Sequence, residues 1–229
     1  MDRIIDADGH VLEPPDCWQR YIDPAYRERA IRVRRGEDGR DALLIDGRPA
    51  RLTTSEMLGG LGGMGKSIDE LAAACLAGRY AESAPAPATD PAARIARLDA
   101  DGIAAVILYP SLGLQWEAEV PDAGYALANA RAYNRWIEEF CSGGAGRLVP
   151  IAHLTLGDPE EAASELRRAV RAGARGGFLL PFTLSGVPHG HPDHDPLWAA
   201  AEELDVPIAI HTGVDPTGRS LNRRFTGLT

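Results

Sequence analysis

Short apolar runs alternate with amphipathic segments over most of the chain beyond its first third. The runs occupy residues 103–110, 148–153, 177–181 and 206–211. The intervening segments have apolar residues at helical spacing, and two begin with Asp followed by Pro, at Asp90 and Asp158, as helices often do. Apolar strands that alternate with amphipathic helices predict a parallel sheet covered on both faces, which is an α/β fold.

A further apolar pair opens the chain and leads directly into polar residues, in Ile4-Ile5-Asp6-Ala7-Asp8-Gly9-His10. Side chains two apart on a strand share a face, so Asp6, Asp8 and His10 are expected on one side. An Asp oxygen and a His nitrogen at this spacing can bind one divalent metal. A hydrogen-bonded turn at a strand end is the alternative interpretation.

The carboxyl ends of parallel strands are where such folds place their chemistry. Asp8 and His10, Tyr109, His153 and His211 all lie at or just beyond predicted strand ends. His211 is therefore the candidate third metal ligand. His153 is a candidate for contact with a substrate or with the groups around the metal, and Tyr109 either shares that role or packs in the core.

An insertion at about residues 16–89 separates the first strand from the regular pattern. Within it, residues 60–67 match the phosphate-loop pattern G-x-x-x-x-G-K-S. The buried strand that should precede such a loop is missing, because residues 51–58 are too polar. Ser67 and Glu70 predict a capping box instead. A flexible glycine loop before a capped helix is therefore preferred to a nucleotide site, and residues 42–47 predict one arm of a hairpin.

The segment from Phe182 to Asp195 contains a pattern H-x-H-x-x-H, formed by His189, His191 and His194. Metal binding is one interpretation of this pattern. The segment is rich in Gly and Pro, and no regular element would fix the ligand geometry. A solvated loop near the mouth of the site is therefore the preferred interpretation.

Composition narrows the classes of partner. The 229 residues carry 24 Lys plus Arg against 33 Asp plus Glu, a net charge of −9, which argues against binding to nucleic acid or to an anionic membrane. No segment reaches the roughly 20 apolar residues of a membrane span, and the amino terminus does not resemble a signal peptide. Small-molecule partners and a cytoplasmic location are expected. Cys17, Cys75 and Cys141 fit no paired pattern and predict reduced thiols.

Several of these segments together resemble the amidohydrolase-related family, which includes aminocarboxymuconate-semialdehyde and resorcylate-type decarboxylases. The resemblance is carried by residues 6–14, 90–110, 177–181 and 196–213. It implies a distorted (β/α)8 TIM barrel and a divalent metal, zinc or manganese, held by Asp8, His10 and His211. Many members have a His or Glu where this chain has Asp8, which changes the charge of the ligand set.

The resemblance also implies a sixth-strand histidine, the general base, and an eighth-strand aspartate, and both would lie beyond Thr229. We therefore expect residues 1–229 to form a single incomplete TIM-barrel domain with strands one to five, truncated after the fifth strand. Unpaired strand edges would favour association into a homo-oligomer. The 229-residue chain itself is expected to be poorly active.

The function that these observations predict is metal-dependent decarboxylation of a small carboxylated aromatic or muconate-type substrate. A bound divalent ion can polarise a substrate oxygen, and it can also activate water. Hydrolysis of an ester, lactone or amide is therefore the alternative enzyme class. The alternative that is not an enzyme is a non-catalytic remnant that binds a metal or a partner.

Overall fold

A computed structural model of the protein describes residues 3–215. Its strands alternate with helices, and the predicted α/β class is confirmed. In chain order, the strands are β1 (Ile4–His10), β2 (Arg32–Arg35), β3 (Asp41–Ile45), β4 (Arg48–Pro49), β5 (Ile103–Tyr109), β6 (Leu148–Pro150), β7 (Ala152–His153), β8 (Gly177–Leu179) and β9 (Ile208–Ile210).

Two three-stranded parallel sheets carry the predicted strand ends. One has the order β1-β5-β6 and the other the order β7-β8-β9. Only Ile151 separates β6 from β7, so one chain segment contributes to both sheets. The strands of the regular pattern thus follow one another in space in the order in which they occur in the sequence.

The helices lie between these strands at the expected positions. Asp90 accepts a hydrogen bond from the Ala93 N–H at 2.7 Å, and Asp158 accepts one from the Glu161 N–H at 3.1 Å, so both predicted N-caps are confirmed. The helices are α1 (Cys17–Tyr21), α2 (Ser55–Gly62), α3 (Ile68–Ala77), α4 (Ala86–Thr89), α5 (Pro91–Asp101), α6 (Ala123–Ser142), α7 (Pro159–Arg171) and α8 (Asp195–Leu204).

The insertion contains a small antiparallel sheet, β2-β3-β4, and the helix pair α2 and α3. The predicted hairpin arm is β3. The predicted capping box of Ser67 and Glu70 is present at the start of α3. The prediction of a flexible glycine loop was wrong, because the first glycines of the run lie in α2. A Cβ on Gly59 would lie 2.1 Å from the Ala74 carbonyl oxygen, so this glycine allows the two helices to approach closely.

Both faces of β8, the central strand of the second parallel sheet, are buried. Phe178 of β8 belongs to a core cluster that also contains Tyr109 and Trp116, whereas its neighbour Leu179 packs in a second cluster with residues of α7 and α8. Consecutive strand residues point to opposite faces, so a continuous apolar run is what two covered faces require. Cys17 and Cys141 are buried free thiols, and Cys75 is a partly buried one.

The outermost parallel strands expose apolar side chains. Ile4 and Ile5 of β1 are 59% and 60% exposed, and Ile210 of β9 is 50% exposed. Within residues 3–215, β1 and β9 each pair with a single strand. None of the helices in that range is both long enough and apolar enough to cross a membrane.

Candidate functional site

Asp8, His10 and His211 meet at the carboxyl ends of β1 and β9. The Nε2 atom of His211 lies 3.1 Å from Oδ1 of Asp8, although the two residues are 203 positions apart. The same Asp8 oxygen lies 3.7 Å from Nε2 of His10. One ligand atom from each residue lies within 4.8 Å of the others, which is close enough for all three to contact a single ion.

Backbone carbonyls determine which histidine nitrogens face the centre. Nδ1 of His10 donates to the Pro110 carbonyl at 2.7 Å, and Nδ1 of His211 donates to the Thr212 carbonyl at 2.6 Å. A carbonyl only accepts, so in each neutral ring Nε2 carries a lone pair. With both rings neutral, two lone pairs and a carboxylate therefore converge, and they repel one another unless a cation lies between them or an Nε2 atom is protonated. This donor set fits a divalent metal.

The surroundings of His10 favour its neutral imidazole. Burial lowers the pKa of His10, and the nearby His211 and Arg94 act in the same direction, against the Pro110 hydrogen bond and the Asp8 carboxylate. The neutral imidazole is the form that binds metals. Arg94 of α5 also donates to the His10 carbonyl, so it fixes the backbone that carries this ligand.

Glycine is required between the two first-strand ligands. A Cβ on Gly9 would lie 2.2 Å from the Val106 side chain of β5. The pairing of β1 with β5 shifts register between Asp6 and Gly9, so the backbone bulges where the ligands lie. Asp8 projects outward from this bulge, with its side chain 70% exposed, while the His10 side chain is 27% exposed.

The aromatic side chains of Tyr109 and Phe178 line the inner side of the cluster. The Tyr109 ring stacks on His211 with centroids 4.8 Å apart, and the Phe178 ring lies 6.3 Å from His211 at a steep angle. Tyr109 thus contacts His211 directly and also belongs to the buried core, and its role in the site stays a prediction. The two rings meet edge to face at 63° and form an apolar wall beside the converging acceptors.

His153 lies behind this wall rather than in the cluster. Its ring stacks on Phe178 at 4.6 Å and is fully buried, and Nε2 is 2.8 Å from a carboxylate oxygen of Glu117. Glu117 was not predicted from the sequence. It lies on a short 3-10 helix after β5, between Gln115 and Glu119, so neither a periodic pattern nor an isolated acid marks it.

Glu13 is a second buried acid that the sequence analysis left without a role. Its carboxylate accepts from the N–H groups of Leu112 and Gly113 at 2.9 and 2.8 Å, and weakly from that of Ser111. It therefore fixes the loop after β5 that follows the Pro110 carbonyl. Burial raises the pKa of Glu13 to about 7, against the opposing effect of these hydrogen bonds.

The histidine-rich loop does not form a second cluster. Nε2 of His189 donates to the Leu180 carbonyl at 2.8 Å, and Nδ1 of His194 bonds the His189 carbonyl at 3.2 Å. His191 instead lies 3.4 Å from Asp193. These histidines hold the loop to the protein, and His194 is buried, so the loop is less solvated than expected.

Comparison with known proteins identifies the family. The sequence model of the amidohydrolase family matches residues 5–229. The chain belongs to the amidohydrolase family. It is 33% identical over 124 residues to a gamma-resorcylate decarboxylase from Rhizobium radiobacter, a match that covers 52% of this chain and 37% of that relative.

Solved structures show the same fold. An amidohydrolase from Mycobacterium avium subsp. paratuberculosis K-10 aligns with a TM-score of 0.74 at 23% identity, covering 92% of this chain and 59% of that one. A 5-carboxyvanillate decarboxylase from Novosphingobium aromaticivorans, crystallised with bound manganese, aligns with a TM-score of 0.59 at 19% identity. This alignment covers 99% of this chain and 55% of that one. The chain thus spans little more than half the length of either protein.

Proposed function

We propose that this protein is a divalent-metal-dependent decarboxylase of small aromatic carboxylic acids, with Asp8, His10 and His211 as metal ligands. The convergence of two imidazole lone pairs and a carboxylate is the observation that carries the proposal. The similarity to gamma-resorcylate decarboxylase supports the choice of reaction. Strands β1 and β5 to β9 would form part of a (β/α)8 barrel, in one domain with the insertion at 16–89.

The charge of the ligand set suits an anionic substrate. Two neutral imidazoles and one carboxylate leave a net single positive charge around a divalent ion, which attracts a carboxylate. Zinc and manganese both accept such mixed nitrogen and oxygen ligands. When bound, either ion would polarise the substrate oxygens that contact it.

The protein's own side chains would orient the substrate. Tyr109 and Phe178, which are 6% and 0% exposed, close the buried side of His211. A substrate carboxylate would therefore reach the ligand cluster from the side on which Asp8 is exposed. Pro110 and Thr212 hold the two imidazoles in place through Nδ1, so the ligand geometry exists before the substrate arrives.

The test combines metal binding with product analysis. Purified protein, stripped of metal and then loaded with zinc or manganese, is incubated with 2,6-dihydroxybenzoate and 5-carboxyvanillate, and CO2 release is measured. We expect slow CO2 release that requires the metal. Asp8→Asn and His211→Ala should weaken metal binding, measured by calorimetry, about 10- to 100-fold or more. His191→Ala, in the histidine-rich loop, is the matched control and should bind the metal normally.

Other outcomes would contradict parts of the proposal. Equal metal affinity in wild type and His211→Ala would exclude the proposed centre. Metal-dependent cleavage of aryl esters or lactones without CO2 release would support the hydrolase alternative. Tight metal binding with no turnover of any of these compounds would support a non-catalytic role.

A further inference from the structure

A cavity of about 260 Å³ lies beside the loops that follow β5, β7 and β8. Its lining, taken from the described part of the chain, does not include Asp8, His10 or His211. It is thus separate from the proposed metal centre. Its size places it near the lower end of the range for small-molecule sites, so a ligand that fills it must be compact.

Glu117 contributes the charged group in this lining. The residue is 8% exposed, and its Oε2 atom is 2.8 Å from Nε2 of the fully buried His153. The other carboxylate oxygen, Oε1, has no hydrogen bond to any residue between 3 and 215. The Asn134 side-chain oxygen accepts a hydrogen bond from the His153 backbone N–H at 2.7 Å, and Phe178 stacks on the His153 ring. These contacts fix His153 and, through it, the Glu117 carboxylate. The Glu117 side chain is 11% exposed, so this second oxygen is open to a ligand or to water.

Two neighbouring side chains of the cavity also present acceptors. His189 donates through Nε2 to the Leu180 carbonyl, which leaves Nδ1 as the acceptor of that ring. The Thr183 hydroxyl donates to the Val187 carbonyl at 2.6 Å, which leaves its oxygen lone pairs. The Thr155 and Ser185 hydroxyls in the lining can both donate and accept, so acceptors outnumber donors among the polar side chains. Much of the remaining lining is aliphatic, including Val120, Ala126, Leu156 and Leu179.

We propose that this cavity binds a small organic ammonium ion. An ammonium group has three N–H donors and no acceptor, which matches a site with an excess of acceptors. Its charge compensates the Glu117 carboxylate, and a short branched alkyl body fits the aliphatic lining. An aromatic carboxylate is repelled by the same group, so this site does not bind the substrate of the proposed decarboxylase. The inference is therefore independent of that function.

The test compares three compounds with one carbon skeleton: isobutylammonium, isobutanol and isobutyrate. Binding to the full chain is measured by calorimetry at neutral pH. We expect saturable binding of isobutylammonium, weaker binding of isobutanol and none of isobutyrate. Glu117→Gln should raise the dissociation constant for isobutylammonium about 10- to 100-fold, because a charge-assisted bond is lost. Glu160→Gln, an exposed acid on α7, is the matched control and should bind like wild type.

A second variant keeps the proposal testable if Glu117→Gln does not fold. Ala126→Leu on α6 adds volume to the cavity wall, and it should abolish binding of isobutylammonium with the circular dichroism spectrum unchanged. The proposal is overturned if wild type shows no saturable binding of isobutylammonium, or if isobutanol binds as tightly. It is also overturned if a folded Glu117→Gln or Ala126→Leu protein binds the ammonium ion like wild type.

Discussion

Tyr109 positions both imidazoles of the proposed metal centre. Its ring stacks on His211 at 4.8 Å and lies 6.1 Å from the His10 ring. The next residue, Pro110, supplies the carbonyl that accepts from Nδ1 of His10. The end of β5 therefore orients ligands that come from two other strands.

Replacing Tyr109 should weaken metal binding through the loss of this ring. We expect Tyr109→Ala to lower the affinity for zinc about tenfold, because His211 would no longer be held in one orientation. Tyr109→Phe keeps the stacked ring and should bind zinc like wild type. Calorimetric titration of the metal-free proteins measures both. An equal loss of affinity in the two variants would mean that the hydroxyl acts, and not the ring.

The raised pKa of Glu13 predicts a pH-dependent stability. Burial raises this pKa from 4.5 to about 7, so the folded state binds the proton more tightly than the unfolded chain. The contribution of this proton to the stability of the folded state is complete below about pH 4.5 and is lost as the pH rises through about 7. The loss should amount to about 2 to 3 kcal/mol in the free energy of unfolding.

Glu13→Gln isolates this contribution. The amide cannot ionise, yet its oxygen can still accept from the loop N–H groups. Urea unfolding at pH 5 and pH 8 should show that wild type loses more stability between these two values than the variant does. Parallel pH dependence of the two proteins would rule out Glu13 as the responsible group.

Close packing of α2 on α3 predicts unequal effects of alanine at two adjacent glycines. A Cβ at Gly59 meets the Ala74 backbone at 2.1 Å, whereas one at Gly60 meets only the Cys75 sulfur, at 3.1 Å. Gly59→Ala should therefore lower the free energy of unfolding by about 1 to 3 kcal/mol. Gly60→Ala is the matched control, and we expect a change within about 1 kcal/mol of wild type. Urea unfolding tests both, and similar losses would contradict the packing argument.

The G-x-x-x-x-G-K-S pattern should not bind nucleotides. The Ser67 hydroxyl and backbone N–H both contact the Glu70 carboxylate, at 2.6 and 3.0 Å, so an acid already occupies the start of α3. A phosphate would be repelled there. Titration with ATP or GTP should give no tight binding, and Lys66→Ala should change nothing. Tight binding that Lys66→Ala abolishes would refute this prediction.

Much of the architecture could be predicted from local pattern. Asp90, Pro91 and Gly102 are residues that begin and end a helix through their own backbone chemistry, and α5 has these boundaries. The meeting of Asp8, His10 and His211 followed from one rule, that the ends of parallel strands share an edge. Their role as ligands stays a prediction.

Side chains outside regular elements could not be placed in this way. Glu117 reaches His153 across 36 positions, and that pairing depends on a loop path that no periodicity specifies. Apolar residues also recur at helical spacing along α3. This pattern did not predict burial, because Ile68 and Leu76 are 85% and 79% exposed. Spacing shows that residues share a helix face, but the partner of that face is a tertiary property.

The separation of 203 positions between Asp8 and His211 has a consequence for folding. An ion bound by both would close a loop containing nearly the whole chain, and the entropy cost of such closure rises with loop length. The proposed metal would therefore act as a cross-link that restricts the conformations of the unfolded chain. Its binding free energy would add to the free energy of unfolding. Removal of the ion should loosen β1 and β9 first, and faster amide hydrogen exchange in these two strands would report it.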